Sequence, residues 1–193
     1  KVAKLINCDP EEIYFTSGST ESCAIAIDGF LKANPNYWVV SSNIEHAAIM
    51  NNPNVDYIIE CNNLGVIDPS NWGNVDIKVL YSFMMANNEV GTIQPIKKIS
   101  EYVHRNKGVL FSDLTAAIGK ISVDVKDLGI DMACFSGHKI GALKGVGVLY
   151  IKRGIKIKGI FSFKFQSTFY CTISYPYTSF KSCLKISNCI AFY

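Results

Sequence analysis

The sequence predicts an α/β fold in which a mostly parallel sheet carries helices on both faces. Short apolar runs of strand length alternate along the chain with helical patterns, and this alternation is typical of β-α-β units. The chain has 193 residues, of which 49% are hydrophobic. This length and composition are sufficient for one domain with its own core.

The apolar runs predict seven strands, which are separated by turns and helices. The strands are expected at residues 13–15, 37–41, 56–60, 78–83, 108–111, 131–135 and 146–151. Residues 66–67 lie in a polar connection and are expected to pair at an edge of the sheet. Helices are expected at residues 23–31 and 96–106, residues 43–46 are expected to open a short helix that runs through residue 50, and residues 1–7 are typical of the end of a helix.

The cysteines bear on the compartment and on metal binding. The seven cysteines are odd in number and form no CxxC pair, which is typical of a reducing compartment rather than of a disulfide framework. Their wide spacing predicts no metal site.

No signal peptide and no apolar run of membrane-spanning length are recognisable, so we expect a cytoplasmic protein without a membrane partner. Because the chain begins with Lys1, we expect a fragment.

The charge is divided unevenly along the chain. Residues 1–131 carry ten Lys or Arg and sixteen Asp or Glu, a net charge of −6, whereas residues 132–193 carry nine basic residues and no acid, a net charge of +9. Such asymmetry can indicate a surface for nucleic acid or membrane. No nucleic-acid-binding motif accompanies it, so we expect an anionic small ligand in the basic half rather than nucleic acid.

A small polar loop lies between the first predicted strand and the first predicted helix, with the sequence Thr16-Ser-Gly-Ser-Thr-Glu21. Free backbone N–H groups and the helix dipole favour a phosphate at such a position, and Ser19 and Thr20 add hydroxyl groups. The alternative is an ordinary Ser/Thr helix cap with Glu21 in the first turn.

A glycine-rich turn joins the last two predicted strands and contains Ser136, His138 and Lys139. Its glycines let the backbone come close to a ligand. A lysine in such a place can attack a carbonyl group and form a Schiff base. The alternative is a surface lysine in a flexible turn.

Three further polar residues follow predicted strands, namely His46, Asn88 and Asp113. The ring of His46 could stack on a flat ligand, or it could be an ordinary surface histidine. Asn88 could donate to a ring oxygen, and neither it nor the adjacent Asn87 is expected in the core. Asp113 could hold a protonated pyridine nitrogen or cap a turn.

These residues share one position in the predicted fold, because each lies at the carboxyl end of a strand. Ligands of open α/β sheets bind outside these ends. A phosphate loop, a stacking ring, a carboxylate for a ring nitrogen and an amine for an aldehyde are together what pyridoxal 5′-phosphate requires. The sequence therefore predicts a pyridoxal phosphate site.

These motifs resemble those of the cysteine desulfurases, which belong to the class V aminotransferase group of fold-type I pyridoxal phosphate enzymes. The resemblance covers residues 1–156 and keeps the family's motif order. Its motifs are Thr16-Ser-Gly-Ser-Thr-Glu21, Glu45-His46, Asn87-Asn-Glu-Val-Gly91, Asp113 and Ser136-Gly-His-Lys139.

The resemblance implies a role for each candidate residue. Lys139 would be the Schiff-base lysine and the base that moves the substrate α-proton, and His46 would stack on the ring. Asp113 would pair with the ring nitrogen, and Asn88 would lie near the ring oxygen. The phosphate would be bound by Ser19, Thr20, Ser136 and His138.

The resemblance also implies a reaction and partners. The family takes sulfur from L-cysteine, leaves alanine, and holds the sulfur as a persulfide on a cysteine. A sulfur-acceptor protein then takes it for iron–sulfur cluster assembly or tRNA thiolation, and the family works as a homodimer. Two alternatives remain, another class V enzyme such as a selenocysteine lyase or an aminotransferase, and a catalytically inactive fragment.

The sequence departs from the family in several places. The usual Asp-Ala-Thr-Gln is here Asp113-Leu-Thr-Ala116, so the glutamine contact with the ring oxygen is lost. The usual proline is also missing from residues 140–145. Beyond Lys158 neither the family's glycine-rich segment nor its persulfide loop is recognisable.

We therefore expect a pyridoxal phosphate-binding large domain at residues 1–158, without its N-terminal arm and without the small C-terminal domain. Residues 159–193 form a basic, aromatic tail. Three interpretations of the tail remain, namely a divergent segment, a nucleic-acid-binding surface, or a stretch translated out of frame.

Overall fold

The fold is built on one seven-stranded mixed sheet, seen in a computed structural model that describes residues 1–159. The expectations for the tail therefore lie outside the described residues. The strands are β1 (Ile13–Thr16), β2 (Tyr37–Ser42), β3 (Tyr57–Ile59), β4 (Lys78–Ser82), β5 (Val109–Asp113), β6 (Met132–Ser136) and β7 (Gly147–Ile151). All seven strands predicted from the apolar runs are present.

The strand order is β1-β7-β6-β5-β4-β2-β3. Only β7 is antiparallel to its neighbours, β1 and β6, and every other pair is parallel. Because β7 is reversed between β1 and β6, those two strands run in the same direction. Six strands therefore end at one edge of the sheet, and the predicted mostly parallel sheet is confirmed.

Five α-helices accompany the sheet in the described part of the chain. They are α1 (Val2–Leu5), α2 (Ser19–Ala24), α3 (Phe30–Ala33), α4 (Ala47–Met50) and α5 (Ile96–Arg105). A π-helical segment, Ile25–Gly29, joins α2 to α3 without a break. Among the helices of residues 1–159, none has the length and apolar character needed to cross a membrane.

The core consists of two apolar layers, one on each face of the sheet. Successive residues of β4 alternate between them, with Val79 in one layer and Leu80 in the other. The layer of Val79 includes Ile99 of α5, whereas the layer of Leu80 includes Phe30 of α3. This alternation follows from the two-residue period of a strand, and it confirms the predicted helices on both faces.

The first long helix begins earlier than predicted, at Ser19 rather than at residue 23. Its first turn is polar, so it lacks the apolar period from which the prediction was made. The turn is held by Glu21, whose Oε2 accepts hydrogen bonds from the backbone N (2.7 Å) and the Oγ (2.8 Å) of Ser17.

The prediction of edge pairing at residues 66–67 is wrong, since neither residue belongs to a strand. The backbone N of Ile67 donates instead to Oε1 of Gln94, at 2.8 Å. A buried side-chain amide thus satisfies the group that a neighbouring strand would have satisfied.

Two buried carboxyl groups, Asp131 and Glu45, form hydrogen bonds that hold the segments between strands. The two groups differ in the number and charge of their partners. Asp131, just before β6, has its Oδ2 2.8 Å from Nε2 of His104, and the same oxygen accepts from Leu110 N at 3.0 Å. Its Oδ1 lies 3.2 Å from Nζ of Lys152. Burial alone would raise the pKa of Asp131, but these hydrogen bonds and positive charges lower it below the usual value.

Glu45, in the connection after β2, has fewer partners. Its Oε1 accepts from Ser42 Oγ (2.5 Å) and from Met84 N (2.9 Å), while its buried Oε2 has no hydrogen-bond partner. Burial raises the pKa of Glu45 to about 8, against the lowering effect of the two hydrogen bonds. Glu45 is therefore a neutral acid at pH 7, and it ties the end of β2 to the end of β4.

Replacing Asp131 tests the contribution of its network. We expect Asp131→Asn to lower the free energy of unfolding at pH 7 by about 1.5–3 kcal/mol, because hydrogen bonds to charged groups contribute about that much. The matched control is Asp127→Asn, which breaks an ion pair with Lys97 whose side chains are 61% and 55% exposed. The control should lose less than about 1 kcal/mol in the same urea titration.

The effect of Asp131→Asn should also depend on pH. Since the folded pKa is below the unfolded value of about 3.9, the stabilisation is present above that value and is lost as the pH falls through the folded pKa. We expect the gap between wild type and variant to narrow below about pH 4. A gap that is the same at pH 6 and at pH 3 would contradict this account.

Glu45→Gln should show the opposite dependence on pH. Between the unfolded pKa of about 4.3 and the folded pKa of about 8, only the native state holds the Glu45 proton, so wild-type stability falls as the pH rises. The variant lacks this linkage, so its stability relative to wild type should rise by up to about 1.4 kcal/mol per pH unit in that window. Urea titrations at pH 5, 7 and 9 measure it, with the exposed Glu11→Gln as control. A constant difference across these pH values would refute the neutral Glu45.

Candidate cofactor site

A cleft of about 550 Å³ opens at the edge where the parallel strands end. All eight residues predicted from the sequence line this cleft. They are Ser19, Thr20, His46, Asn88, Asp113, Ser136, His138 and Lys139. The residues come from the ends of β1, β2, β4, β5 and β6, so the parallel order of the sheet is what brings them together.

The Ser/Thr loop at the start of α2 is joined to the end of β6 by two hydrogen bonds. The backbone N of Ser19 donates to Ser136 Oγ at 3.0 Å, and Ser136 Oγ donates to Ser19 Oγ at 2.9 Å. Two hydroxyl groups and a helix N-terminus therefore lie at one end of the cleft. These are the donors that a phosphate group accepts from.

Gly147 allows this loop to lie close to the sheet. It is the register partner of both Thr16 on β1 and Ser136 on β6. A Cβ at this position would overlap the backbone of Gly18 and the Oγ1 of Thr16. A larger residue would therefore push the loop away from the cleft.

His46 lies at the start of α4 and caps it. Its Nδ1 accepts a hydrogen bond from Ala48 N at 3.1 Å. Since an accepting ring nitrogen carries no proton, the neutral ring has its proton on Nε2. The adjacent Glu45 anchors the same connection to Met84, another residue of the cleft wall.

The two adjacent asparagines have different surroundings. Asn88 lines the cleft, as predicted, whereas Asn87 is buried, so its predicted place outside the core is wrong. The Oδ1 of Asn87 accepts from Glu89 N (2.7 Å) and Val90 N (2.8 Å), and its Nδ2 donates to Ile44 O (2.8 Å). Asn87 thus builds the turn that presents Asn88.

Asp113 is the last residue of β5 and forms part of the cleft wall. Its Oδ1 accepts from Thr115 N at 2.8 Å, which fixes the carboxylate at the strand end. The side chain is buried, and on the protein side it is close to the thiol groups of Cys23 and Cys134. Burial also raises the pKa of the Cys134 thiol, with a further contribution from its hydrogen bond to Cys23.

Lys139 lies in a 3-10 turn, Gly137–Ile140, which follows β6 directly. The turn ends at Gly141, whose φ of +82° is in the left-handed region that favours glycine. The Lys139 and His138 side chains are exposed on the cleft. Their exposure contrasts with the buried, hydrogen-bonded carboxylate of Asp113.

The cleft also contains polar residues that the sequence analysis did not select, among them Glu89, Thr115 and Lys144. Glu89 was within a quoted motif, and Thr115 and Lys144 were within the stretches compared with the family, but nothing in their local sequence pointed to the cleft. Ala116 lines the cleft and also a smaller adjoining cavity of about 190 Å³. The small side chain thus leaves space beside Asn88.

Comparison with known proteins identifies one matching family and several relatives that share one name. Residues 1–182 match the family described as aminotransferase class-V. The cysteine desulfurase IscS of Methanosarcina thermophila is 40% identical over 169 residues, which is 81% of this chain and 42% of that protein. The IscS of Clostridium botulinum strain Hall is 37% identical over 172 residues, or 83% of this chain and 43% of that protein. The chain thus spans less than half the length of these relatives.

Solved structures agree with the sequence relatives. A NifS-like protein from Rickettsia africae superposes with a TM-score of 0.73 at 30% identity, covering 83% of this chain and 47% of that chain. SspA, solved in complex with cysteine, superposes with a TM-score of 0.70 at 30% identity, covering 78% of this chain and 46% of that one. The family match over residues 1–182 leads to one conclusion, with which these superpositions agree: this chain belongs to the class V aminotransferase family.

Proposed function

We propose that this chain is the pyridoxal phosphate-binding part of a cysteine desulfurase, with residues 1–158 as its large domain. The observation that carries the proposal is the convergence of eight predicted residues on one cleft at the carboxyl edge of the sheet. The relatives named as cysteine desulfurases, and the SspA structure that contains cysteine, support L-cysteine as the substrate.

The residues of the cleft fit pyridoxal 5′-phosphate. Thr115 Oγ1 is buried in the cleft wall without a hydrogen-bond partner, and the hydroxyl groups of Ser19 and Ser136 bond to each other, with Ser19 N as a further donor. A phosphorylated ligand would give such hydroxyl groups an acceptor. When bound, the cofactor supplies an aldehyde and a ring that withdraws electrons from the reacting carbon.

The phosphate end of the cleft orients the ligand. Ser19, Thr20, Ser136 and His138 would bind the phosphate, together with the backbone N–H groups at the start of α2. Lys139 and Lys144 also line the cleft, and their positive charges favour an anion there.

Residues at the other end of the cleft would set the protonation and the position of the cofactor ring. Asp113, held by Thr115 N, would accept a hydrogen bond from the protonated ring nitrogen and keep that nitrogen protonated. His46 would stack on the ring, because its Nδ1 bond to Ala48 N fixes the orientation of the imidazole. Asn88 would donate to the ring oxygen, with no glutamine at residue 116 to share that role.

Lys139 would hold the cofactor through its amine and, once released, remove the α-proton of the substrate. The sulfur of L-cysteine would then leave for a persulfide-forming cysteine, and alanine would remain. No cysteine of residues 1–159 lines the cleft, so we assign the persulfide role to none of these.

The remaining parts of the proposal concern the cell. We propose a cytoplasmic protein, homodimeric in its full-length form, that passes sulfur to an acceptor protein for iron–sulfur cluster assembly or thiolation. The free thiols of Cys8, Cys23, Cys61 and Cys134 support a reducing compartment.

Covalent trapping tests the cofactor assignment. The purified chain is mixed with pyridoxal phosphate and reduced with borohydride, and the labelled peptide is identified by mass spectrometry. We expect the label on Lys139, and Lys139→Ala should lose it. Lys144→Ala is the matched control, since Lys144 also lines the cleft, and it should retain the label. Undiminished labelling of Lys139→Ala would refute the assignment.

L-Cysteine then tests the reaction. The full-length protein, loaded with cofactor, is expected to release sulfide and alanine in equal amounts when a thiol reductant is present. Release of selenide from selenocysteine without sulfide from cysteine would identify a lyase instead. Cofactor binding without turnover of either amino acid would indicate an inactive protein.

A further inference from the structure

Three side chains meet at and behind the cleft wall in an arrangement that the sequence did not predict. Cys23 from α2, Asp113 from β5 and Cys134 from β6 place one ligand atom each within 4.8 Å of one another. The two Sγ atoms are 3.5 Å apart, although the residues are 111 positions apart in sequence. The prediction of no metal site was made from the spacing of the cysteines along the chain, which does not show that Cys23 and Cys134 are close in space.

The donor set is one that zinc-group ions prefer. Thiolate sulfur binds Zn²⁺ at about 2.3 Å and carboxylate oxygen at about 2.0–2.2 Å, in tetrahedral geometry. Two sulfurs on one tetrahedral ion are roughly 3.8 Å apart by that geometry. The observed separation of 3.5 Å therefore requires only a small movement of the two thiol groups.

The surroundings of the cluster provide access for such an ion and bury its sulfur ligands. Cys23 and Cys134 are buried, at 1% and 0% exposure, so both sulfur ligands would be shielded from water, while a water molecule from the cleft would complete the tetrahedral set. Asp113 is the one member of the cluster that also lines the cleft. An ion entering through the cleft would therefore meet the carboxylate first and the two thiols behind it.

We propose that Cys23, Cys134 and Asp113 bind a thiophilic divalent metal ion of the zinc group, and that this ion competes with pyridoxal phosphate for Asp113. On binding, two S–H bonds break, two metal–sulfur bonds form, and both protons pass to water, so no oxidant is required. The proposed metal site rests only on the arrangement of Cys23, Cys134 and Asp113. The competition rests on the proposed cofactor role of Asp113.

Cadmium provides the optical probe, because cadmium–thiolate bonds absorb in the ultraviolet. The full chain, kept reduced and free of added cofactor, is titrated with Cd²⁺. Cysteines outside the cluster add a signal common to all variants, so the readout is the difference between wild type and Cys23→Ser or Cys134→Ser. We expect each substitution to remove a tight phase of about one equivalent, or to weaken it at least about tenfold.

Cys61→Ser is the matched control. Its thiol is half-buried and donates to Asn43 Oδ1 at 2.8 Å, outside the cluster. The control should keep the tight phase. Asp113→Asn should weaken it while retaining both sulfur ligands, and far-ultraviolet circular dichroism of every variant shows whether it is folded. A tight phase that persists in the folded Cys23→Ser/Cys134→Ser double variant would overturn the site.

Competition is measured by equilibrium binding of pyridoxal phosphate at increasing Cd²⁺. We expect the apparent Kd of the cofactor to rise at least about tenfold in wild type and to stay constant in the double cysteine variant. An unchanged Kd in wild type would overturn the competition. A chain that binds cadmium through the cluster but never binds the cofactor would leave the metal site standing and would refute the proposed function.

Discussion

The contact between Gly147 and the loop after β1 is the constraint on which the serine-lined end of the cleft depends. Gly147 faces Thr16 on one side and Ser136 on the other, because β7 runs antiparallel between β1 and β6. The missing side chain lets Gly18 lie on the sheet, and only then can Ser19 reach Ser136. One reversed strand and one glycine thus join two distant stretches of sequence into a single cradle.

The sheet and most of the cleft could be predicted because they depend on local pattern. Apolar runs locate the strands, and residues that follow parallel strands collect at one edge. The buried state of Glu45 and Asn87 could not be predicted, because both are polar residues in connections and their partners, Met84 and Ile44, lie on other segments. The pairing of Cys23 with Cys134 likewise depends on how α2 packs against β6, which spacing along the chain does not show.

Two buried carboxyl groups, Asp131 and Glu45, illustrate how the surroundings favour the charged or the neutral form of an acid. Asp131 accepts hydrogen bonds from a histidine ring and a backbone N–H and lies beside the Lys152 ammonium, so its carboxylate is the favoured form. Glu45 has only neutral donors and one unsatisfied oxygen, so its acid form is favoured. Asp113 increases that preference, since its charge further raises the pKa of Glu45.

Ala116 shows why the departure from the family's glutamine is tolerable. A lost hydrogen bond of this kind costs on the order of 1 kcal/mol when both of its partners can be satisfied elsewhere. Here the space beside Ala116 continues into the adjoining cavity of about 190 Å³, so water can reach the position where the glutamine amide would lie. The ring oxygen of a bound cofactor would then retain Asn88 and gain a water molecule. Under the proposed function, cofactor binding would then rest on Asp113 and on the hydroxyl groups of Ser19, Thr20 and Ser136, all of which line the cleft.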